Sequence, residues 1–110
     1  MESASPPPPS AIRQPARAEA NLATYVRNGD YPDQALSRGE EGATSFRLTI
    51  DRRGRATECI VINSSGSASI DHVTCRIMIE RARFTPAIGH DGLPTEDQIT
   101  ARLSWRLGAR

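Results

Sequence analysis

The feature that most constrains this 110-residue chain is a strict alternation of apolar and polar residues near its end. The apolar positions are Ile99, Ala101, Leu103, Trp105 and Leu107, and the residues between them are Thr100, Arg102, Ser104 and Arg106. A period of two is typical of a β-strand with one buried and one wet face. Because Arg102 and Arg106 exclude a second layer on the wet side, the pattern predicts an open antiparallel sheet. We expect this strand to be an edge of that sheet, with unpaired backbone groups to which a partner's extended peptide can add.

Two earlier segments predict the rest of the sheet. Residues 42–51 alternate like a half-buried strand, with Thr44, Phe46, Leu48 and Ile50 pointing inward. The loop from Asp51 to Gly54 is a hairpin connection with glycine where the backbone needs a positive φ. Residues 55–63 form the second strand, but apolar residues on both of its faces leave its orientation open.

A short helix is predicted before the first strand. Proline suits the first turn of a helix, so we expect the helix to begin at Pro32. Ala35 and Leu36 are expected to face the core, and Gly39 ends the helix.

A longer helix is predicted between the second and third strands. Ser67 or Ser69 caps it, and an apolar stripe at helical spacing starts near Ile70 and continues through about Arg83. The predicted fold class is therefore α+β, with a three-stranded antiparallel sheet of order 2-1-3 and two helices packed on one face.

The N-terminal segment has a different composition. Residues 1–21 carry Pro6–Pro9 and Pro15 among Ser, Ala, Arg and Gln, which cannot bury a core. We predict a Pro-rich disordered linker over residues 1–21 and one folded domain over residues 22–110. The linker acts as a semi-rigid spacer; a ligand for a proline-recognition domain is the alternative. Whether the arm from Leu22 to Asn28 covers the last strand stays open.

The chemistry-bearing residues do not predict an active site. His72 and His90 have no partner at metal-ligand spacing, and the sequence has no nucleophile motif, carboxylate pair or phosphate-binding glycine loop. We expect no catalytic residue, metal or cofactor. A net charge of +1 provides no general attraction to nucleic acid. Cys59 and Cys75 are either reduced core residues or, as we prefer, a disulfide formed in an oxidising compartment.

Several short motifs, taken together in order, resemble the C-terminal domain of TonB-type periplasmic energy transducers. They are Tyr31-Pro32, Ala35-Leu36, Glu41-Gly42, Ile50-Asp51 with Gly54, Ser64-Ser65-Gly66, Ile70-Asp71, and Arg83-Phe84-Thr85-Pro86-Ala87 with Gly92 and Pro94. The likeness covers roughly residues 28–107. The proline-rich lead-in is similar to the periplasmic spacer of such transducers.

The resemblance implies a periplasmic, non-enzymatic domain that binds the Ton box of outer-membrane TonB-dependent transporters. The Ton box pairs with the last strand, here Thr100, Ala101, Arg102, Leu103, Ser104, Trp105 and Arg106. Asn28, Tyr31 and Pro32 are the implied neighbouring contacts, whereas Gln34 stands where some members place a plug-binding Arg.

The resemblance also implies partners at the inner membrane. Proton-driven motor proteins would act through an N-terminal anchor that we expect to be missing, since no run of this sequence can span a bilayer. We expect a monomer or weak homodimer. The alternative function is a self-pairing structural or dimerisation domain of a cell-envelope protein, because exposed strand edges also pair between copies.

Overall fold

The computed structural model describes residues 12–107. Eight strands, two α-helices and one 3-10 helix follow one another in this range. They are β1 (Ile12–Gln14), β2 (Arg17–Ala18), the 3-10 helix (Leu22–Tyr25), α1 (Asp33–Arg38), β3 (Gly42–Ile50), β4 (Ala56–Asn63), α2 (Ala68–Glu80), β5 (Phe84–Thr85), β6 (Ala87–Gly89), β7 (Pro94–Thr95) and β8 (Asp97–Trp105).

The central sheet has three antiparallel strands in the order β4-β3-β8. This confirms the predicted α+β class and the 2-1-3 order. The register places Phe46 of β3 between Val61 of β4 and Ala101 of β8, so these side chains share the inner face. The orientation of β4, which its sequence left open, is thereby fixed.

The core lies between this sheet and the helices. Its fully buried members include Phe46, Leu48 and Ile50 from β3 and Ile70, Ile77 and Met78 from α2. Ala35 of α1 is fully buried in the same cluster, so both helices pack on the inner face as predicted. Burying each large apolar side chain stabilises the fold by about 1.5–3 kcal/mol.

Helix α1 begins and ends as expected but buries fewer residues. It starts after Pro32, and Gly39 ends it in the left-handed conformation at φ 64°. Leu36, however, is 46% exposed, so the prediction that it faces the core is wrong. Neighbouring helical residues point about 100° apart. Leu36 therefore lies beside the single face that Ala35 buries.

The β3–β4 hairpin depends on Gly54. Its φ is +83°, and a Cβ there would lie 2.0 Å from the backbone oxygen of Phe84. The Phe84 N–H donates to the Gly54 carbonyl oxygen at 2.9 Å. Glycine is therefore required both by the backbone conformation and by this close approach.

Helix α2 is capped by Ser67, whose hydroxyl accepts a hydrogen bond from the Ile70 N–H. It ends at Glu80 rather than near Arg83, because Phe84 and Thr85 leave the helix path and pair with β2. Within residues 12–107, no helix is long and apolar enough to cross a membrane.

Part of the predicted linker is folded onto the domain. Residues 12–18, here termed the strap, pair antiparallel through β1 with β6 and through β2 with β5. Ala16 is buried, and its N–H donates to the Asp97 carboxylate at 3.0 Å. A disordered linker extending to residue 21 is therefore wrong for residues 12–18. Residues 1–11, which include Pro6–Pro9, lie outside the described residues.

Candidate peptide-binding edge

Strand β8 occupies one edge of the central sheet. It pairs with β3 along its whole length, from Asp97 opposite Ile50 to Trp105 opposite Gly42. Among residues 12–107, no strand pairs with its other flank. Half of the backbone N–H and C=O groups of an edge strand point away from its neighbour. The free flank of β8 therefore presents a row of unpaired donors and acceptors.

The side chains of β8 divide by face, as the alternation predicts. Leu103 and Trp105 are buried in the core, and Ala101 is partly buried against it. The exposed residues of this segment are Thr100, Arg102, Ser104 and Arg106. A peptide that pairs with β8 would therefore contact Leu103 and Trp105 through their backbone atoms only. Its side-chain contacts would be with the four exposed residues.

Trp105 fixes the C-terminal end of β8. Its indole N–H donates to the Thr74 hydroxyl at 2.9 Å, and that hydroxyl donates to the Ile70 carbonyl oxygen at 2.8 Å. The Tyr31 ring meets the Trp105 ring edge-to-face, with centroids 5.5 Å apart. Such pairs contribute about 0.5–1.5 kcal/mol beyond burial. The strand is thus tied both to α2 and to the loop before α1.

Tyr31 links that loop to the start of β3. Its hydroxyl donates to the Glu40 carbonyl oxygen. Burial raises the pKa of Tyr31, and the negative charges of Glu41 and Glu40 raise it further. The phenol therefore stays protonated and remains a donor at neutral pH.

Asp30 and Arg81 hold the same loop against the end of α2. The Arg81 guanidinium donates to both carboxylate oxygens of Asp30, at 2.6 and 3.0 Å, and also to the Tyr25 carbonyl oxygen at 3.0 Å. The hydrogen bond from Arg81 lowers the pKa of Asp30 against the opposing effect of burial. Fifty-one residues separate the pair in sequence, so no local pattern could have revealed it.

The three predicted loop contacts are placed differently. Tyr31 reaches the end of β8 through Trp105, and Pro32 is half-buried as the cap residue of α1. Asn28 is exposed in the preceding turn, and among the described residues no hydrogen bond or ion pair joins it to β8.

The arm between the strap and the loop lies against α2 and β8 without adding a strand. Its 3-10 helix begins at Asn21, whose side chain accepts from the Ala23 N–H. Tyr25 accepts a hydrogen bond from the Arg83 N–H at 3.2 Å. In the described part of the chain, the arm makes no backbone hydrogen bond to β8.

Asp71 organises the end of the sheet where β3 begins and β4 ends. Its carboxylate accepts hydrogen bonds from the hydroxyls of Thr44, Ser64 and Ser65 and from the Ser65 N–H, at 2.5–2.9 Å. Burial acts to raise its pKa, but these hydrogen bonds together lower it below the ordinary value. The group joins β3, the turn after β4 and α2, so its role is structural.

The other edge of the sheet is β4. Cys59 of this strand forms a disulfide with Cys75 of α2, which confirms the predicted pairing. Ile60, Val61 and Ile62, the next three residues, are 41, 37 and 45% exposed.

Within residues 12–107, no group of three or more His, Cys, Asp and Glu side chains is arranged to hold a metal ion. An open groove of about 550 Å³ separates the loop from Gly29 to Gln34 from the first half of α2, next to Tyr31 and Pro32.

Comparison with known proteins identifies the family. The family model described as Gram-negative bacterial TonB protein C-terminal matches residues 27–107. Protein TonB of Pseudomonas putida is 36% identical over 66 residues, which is 60% of this chain and 26% of that protein. The chain thus spans about a quarter of that relative.

Two solved structures are also similar. The solution NMR structure of the Pseudomonas aeruginosa TonB CTD matches with a TM-score of 0.57 and 29% identity, covering 73% of this chain and 79% of that one. The NMR structure of the Helicobacter pylori TonB-CTD has the same TM-score at 19% identity, covering 81% and 76%, and supports the fold alone. From residue 27 to residue 107, the chain belongs to the TonB C-terminal domain family.

Proposed function

We propose that this domain is the periplasmic part of an energy transducer that binds the Ton box of outer-membrane TonB-dependent transporters. The Ton box adds as a strand to the free flank of β8, and the domain transmits force to the transporter. The observation that carries this proposal is the unpaired flank of β8 in a member of the TonB C-terminal family. Proton-driven inner-membrane proteins supply the force through a part of the transducer that precedes this domain.

The backbone of β8 supports a sequence-tolerant contact. Residues 100–106 extend over about 20 Å, which is enough for a few intermolecular hydrogen bonds at roughly 1 kcal/mol each. Main-chain bonds do not depend on the partner's side chains, so one domain can serve several transporters. The affinity is accordingly modest.

The exposed side chains beside the flank add selectivity. Arg102 and Arg106 are exposed, and no carboxylate of residues 12–107 forms an ion pair with either. An arginine guanidinium donates in a fork that matches a carboxylate. Peptides with acidic residues near these positions are therefore favoured.

The loop before α1 supplies a second contact. Tyr31 contacts Trp105 at the end of β8 and is followed by Pro32, and the Asp30–Arg81 pair should restrict motion of the loop. A rigid loop loses little conformational entropy when a partner binds. Asn28 is exposed in the preceding turn and is proposed as a further contact, whereas Gln34 offers no charge for a salt bridge.

The disulfide supports the proposed periplasmic location. Cys59–Cys75 is a bridge between two elements of the core. Disulfides of this kind persist in the bacterial periplasm and are rare in the cytosol.

The test is a titration of the 110-residue chain with a transporter N-terminal peptide, followed by backbone amide chemical shifts. We expect the changes to concentrate at residues 100–106 and at Tyr31. Changes confined to the β4 edge, or none at millimolar peptide, would contradict the proposal.

Two neighbouring proline substitutions sharpen this test. Successive N–H groups of a strand point to opposite flanks. One of Ala101→Pro and Arg102→Pro therefore removes a donor from the free flank, and the other removes a donor from the β3 ladder. We expect one variant to stay folded and bind peptide at least about tenfold more weakly, since proline is tolerated on an open flank. Unchanged binding in the folded variant would exclude strand addition.

A further inference from the structure

The exposed turn before α1 contains the pair Asn28-Gly29. Asparagine is thermolabile, because the backbone nitrogen of the next residue can attack its side-chain amide carbon. A following glycine favours this attack, since it has no Cβ to obstruct the approach and leaves the backbone free to turn. The sequence has three asparagines, Asn21, Asn28 and Asn63, and of these only Asn28 precedes a glycine.

We propose that Asn28 is a site of spontaneous deamidation, and that its isoaspartate product frees Asp30 from the turn. The Gly29 nitrogen forms a bond to Cγ of Asn28, and the bond from Cγ to Nδ2 breaks. The amide nitrogen leaves as ammonia with the proton of the Gly29 N–H, so that a succinimide ring remains. Water then adds to either carbonyl of the ring and opens it to aspartate or isoaspartate.

The structure leaves both reacting groups free. Asn28 and Gly29 are exposed, and within residues 12–107 no hydrogen bond involves the Asn28 side chain or the Gly29 N–H. Gly29 has a φ of +92°, and a Cβ built there would have no heavy atom within 4 Å. The side-chain amide and the backbone nitrogen can therefore meet without breaking a hydrogen bond of their own.

The other two asparagines are held by the fold. The Asn21 side chain accepts a hydrogen bond from the Ala23 N–H at 3.0 Å, as the cap of the 3-10 helix. Asn63 pairs with Ser45 in the ladder between β3 and β4. Each hydrogen bond that must break before the ring can close costs about 1 kcal/mol. Both residues also precede a residue with a side chain, so we expect them to react more slowly than Asn28.

The consequence for the loop follows from two hydrogen bonds that close the turn around the pair. The Asp30 N–H donates to the Arg27 carbonyl oxygen at 3.1 Å, and the Arg27 N–H donates to the Asp30 carboxylate at 2.5 Å. Isoaspartate carries the chain through its side-chain carbon, which lengthens the backbone between these two residues. The longer turn cannot keep both hydrogen bonds, so Asp30, the carboxylate that Arg81 holds, becomes free to move. The aspartate product keeps the backbone length and adds only a negative charge.

The reaction needs no partner, so the inference is independent of Ton box binding. The first test incubates the 110-residue chain in mildly alkaline buffer and locates deamidation by peptide mass. We expect a gain of about 1 Da at Asn28, at a rate at least about tenfold above that at Asn21 or Asn63. Isomerisation of Asp91 before Gly92 passes through the same ring but leaves mass and charge unchanged, so it does not interfere.

A matched pair of variants assigns the site in the intact chain. An acidic form that accumulates on ion exchange should be nearly lost in Asn28→Gln, because glutamine does not form this ring. It should accumulate unchanged in Asn63→Gln. Equal rates at the three asparagines, or an acidic form that persists in Asn28→Gln, would overturn the assignment.

The second test compares the two products after their separation. In the isoaspartate form, amide hydrogen exchange at Asp30 should accelerate at least about fivefold, which corresponds to one lost hydrogen bond. Asn28→Asp carries the same added charge without the longer backbone, so it should keep the slow exchange. Unchanged exchange in the isoaspartate form, or equal acceleration in Asn28→Asp, would refute the release of Asp30.

Discussion

The two edges of the central sheet have the same backbone geometry and opposite side-chain character. The β8 edge carries exposed Thr100, Arg102 and Ser104, and non-covalent contacts of Trp105 hold its end. The β4 edge exposes apolar residues, and the disulfide holds it covalently. The difference shows that open edges are not equivalent binding sites. Side chains beside the ladder determine which extended segments an open edge can accept.

The anchoring also differs in its expected response to perturbation. A covalent tie resists local opening of β4, whereas hydrogen bonds and ring contacts allow the end of β8 to adjust. The end of β8 is therefore expected to be more adjustable than β4. The β4 edge presents a single fixed conformation.

The largest expected effect comes from removing the covalent anchor. Cys59→Ala with Cys75→Ala opens a bridge between residues 16 apart in sequence, which should lower the free energy of unfolding by about 3 kcal/mol. Amide hydrogen exchange should accelerate most in β4 and less in β8. Equal acceleration at both edges would mean that the disulfide stabilises the whole sheet rather than β4. Chemical denaturation gives the free energy.

A smaller effect is expected from the non-covalent anchor. Trp105→Phe removes the indole donor to Thr74 and should cost about 1–2 kcal/mol of stability. Exchange should then accelerate most in the second half of β8 and less in β4. Thr74→Val is the matched partner variant, and a double-mutant cycle should give a coupling of about 1 kcal/mol. A coupling energy of zero would mean that this hydrogen bond does not stabilise the end of β8.

The smallest expected effect is on the acid dependence of stability. The pKa values of Asp30 and Asp71 lie below their ordinary 3.8 in the folded chain. Each carboxylate therefore contributes stability that is complete above about pH 5 and is lost as the pH falls through the lowered pKa. Asp30→Asn should flatten this dependence near the β8 end, and Asp71→Asn near the junction of β3 and α2. If the pH dependence of stability is unchanged in both variants, other groups are responsible for unfolding in acid.

The central sheet and α2 could be predicted because their side chains repeat with a clear period. Phe46 and Leu48 of β3 and Leu103 of β8 follow the alternation, and all are buried. Strands of two or three residues have no such period, so β1, β2 and β5–β7 were not predicted. The polar composition of the strap predicts a linker, whereas backbone pairing with β5 and β6 holds it in place.

The candidate site was predicted unevenly for a similar reason. The open flank of β8 follows from alternation together with strand order, both of which are readable in sequence. The Asp30–Arg81 pair and the Trp105–Thr74 bond join residues 51 and 31 positions apart. Contacts over such separations depend on the finished fold, so nothing local marks Arg81 or Thr74.

The strap is the first described part of the domain that tension on the N-terminal side would reach. Its short pairings with β5 and β6 hold far less tightly than the nine-residue ladder between β3 and β8. If tension pulls on this end, we expect the strap to detach first, which frees about 25 Å of chain at 3.3–3.6 Å per residue while the central sheet stays paired. Because the Ala16 N–H donates to the Asp97 carboxylate, detachment of the strap would also remove a hydrogen bond from the first residue of β8.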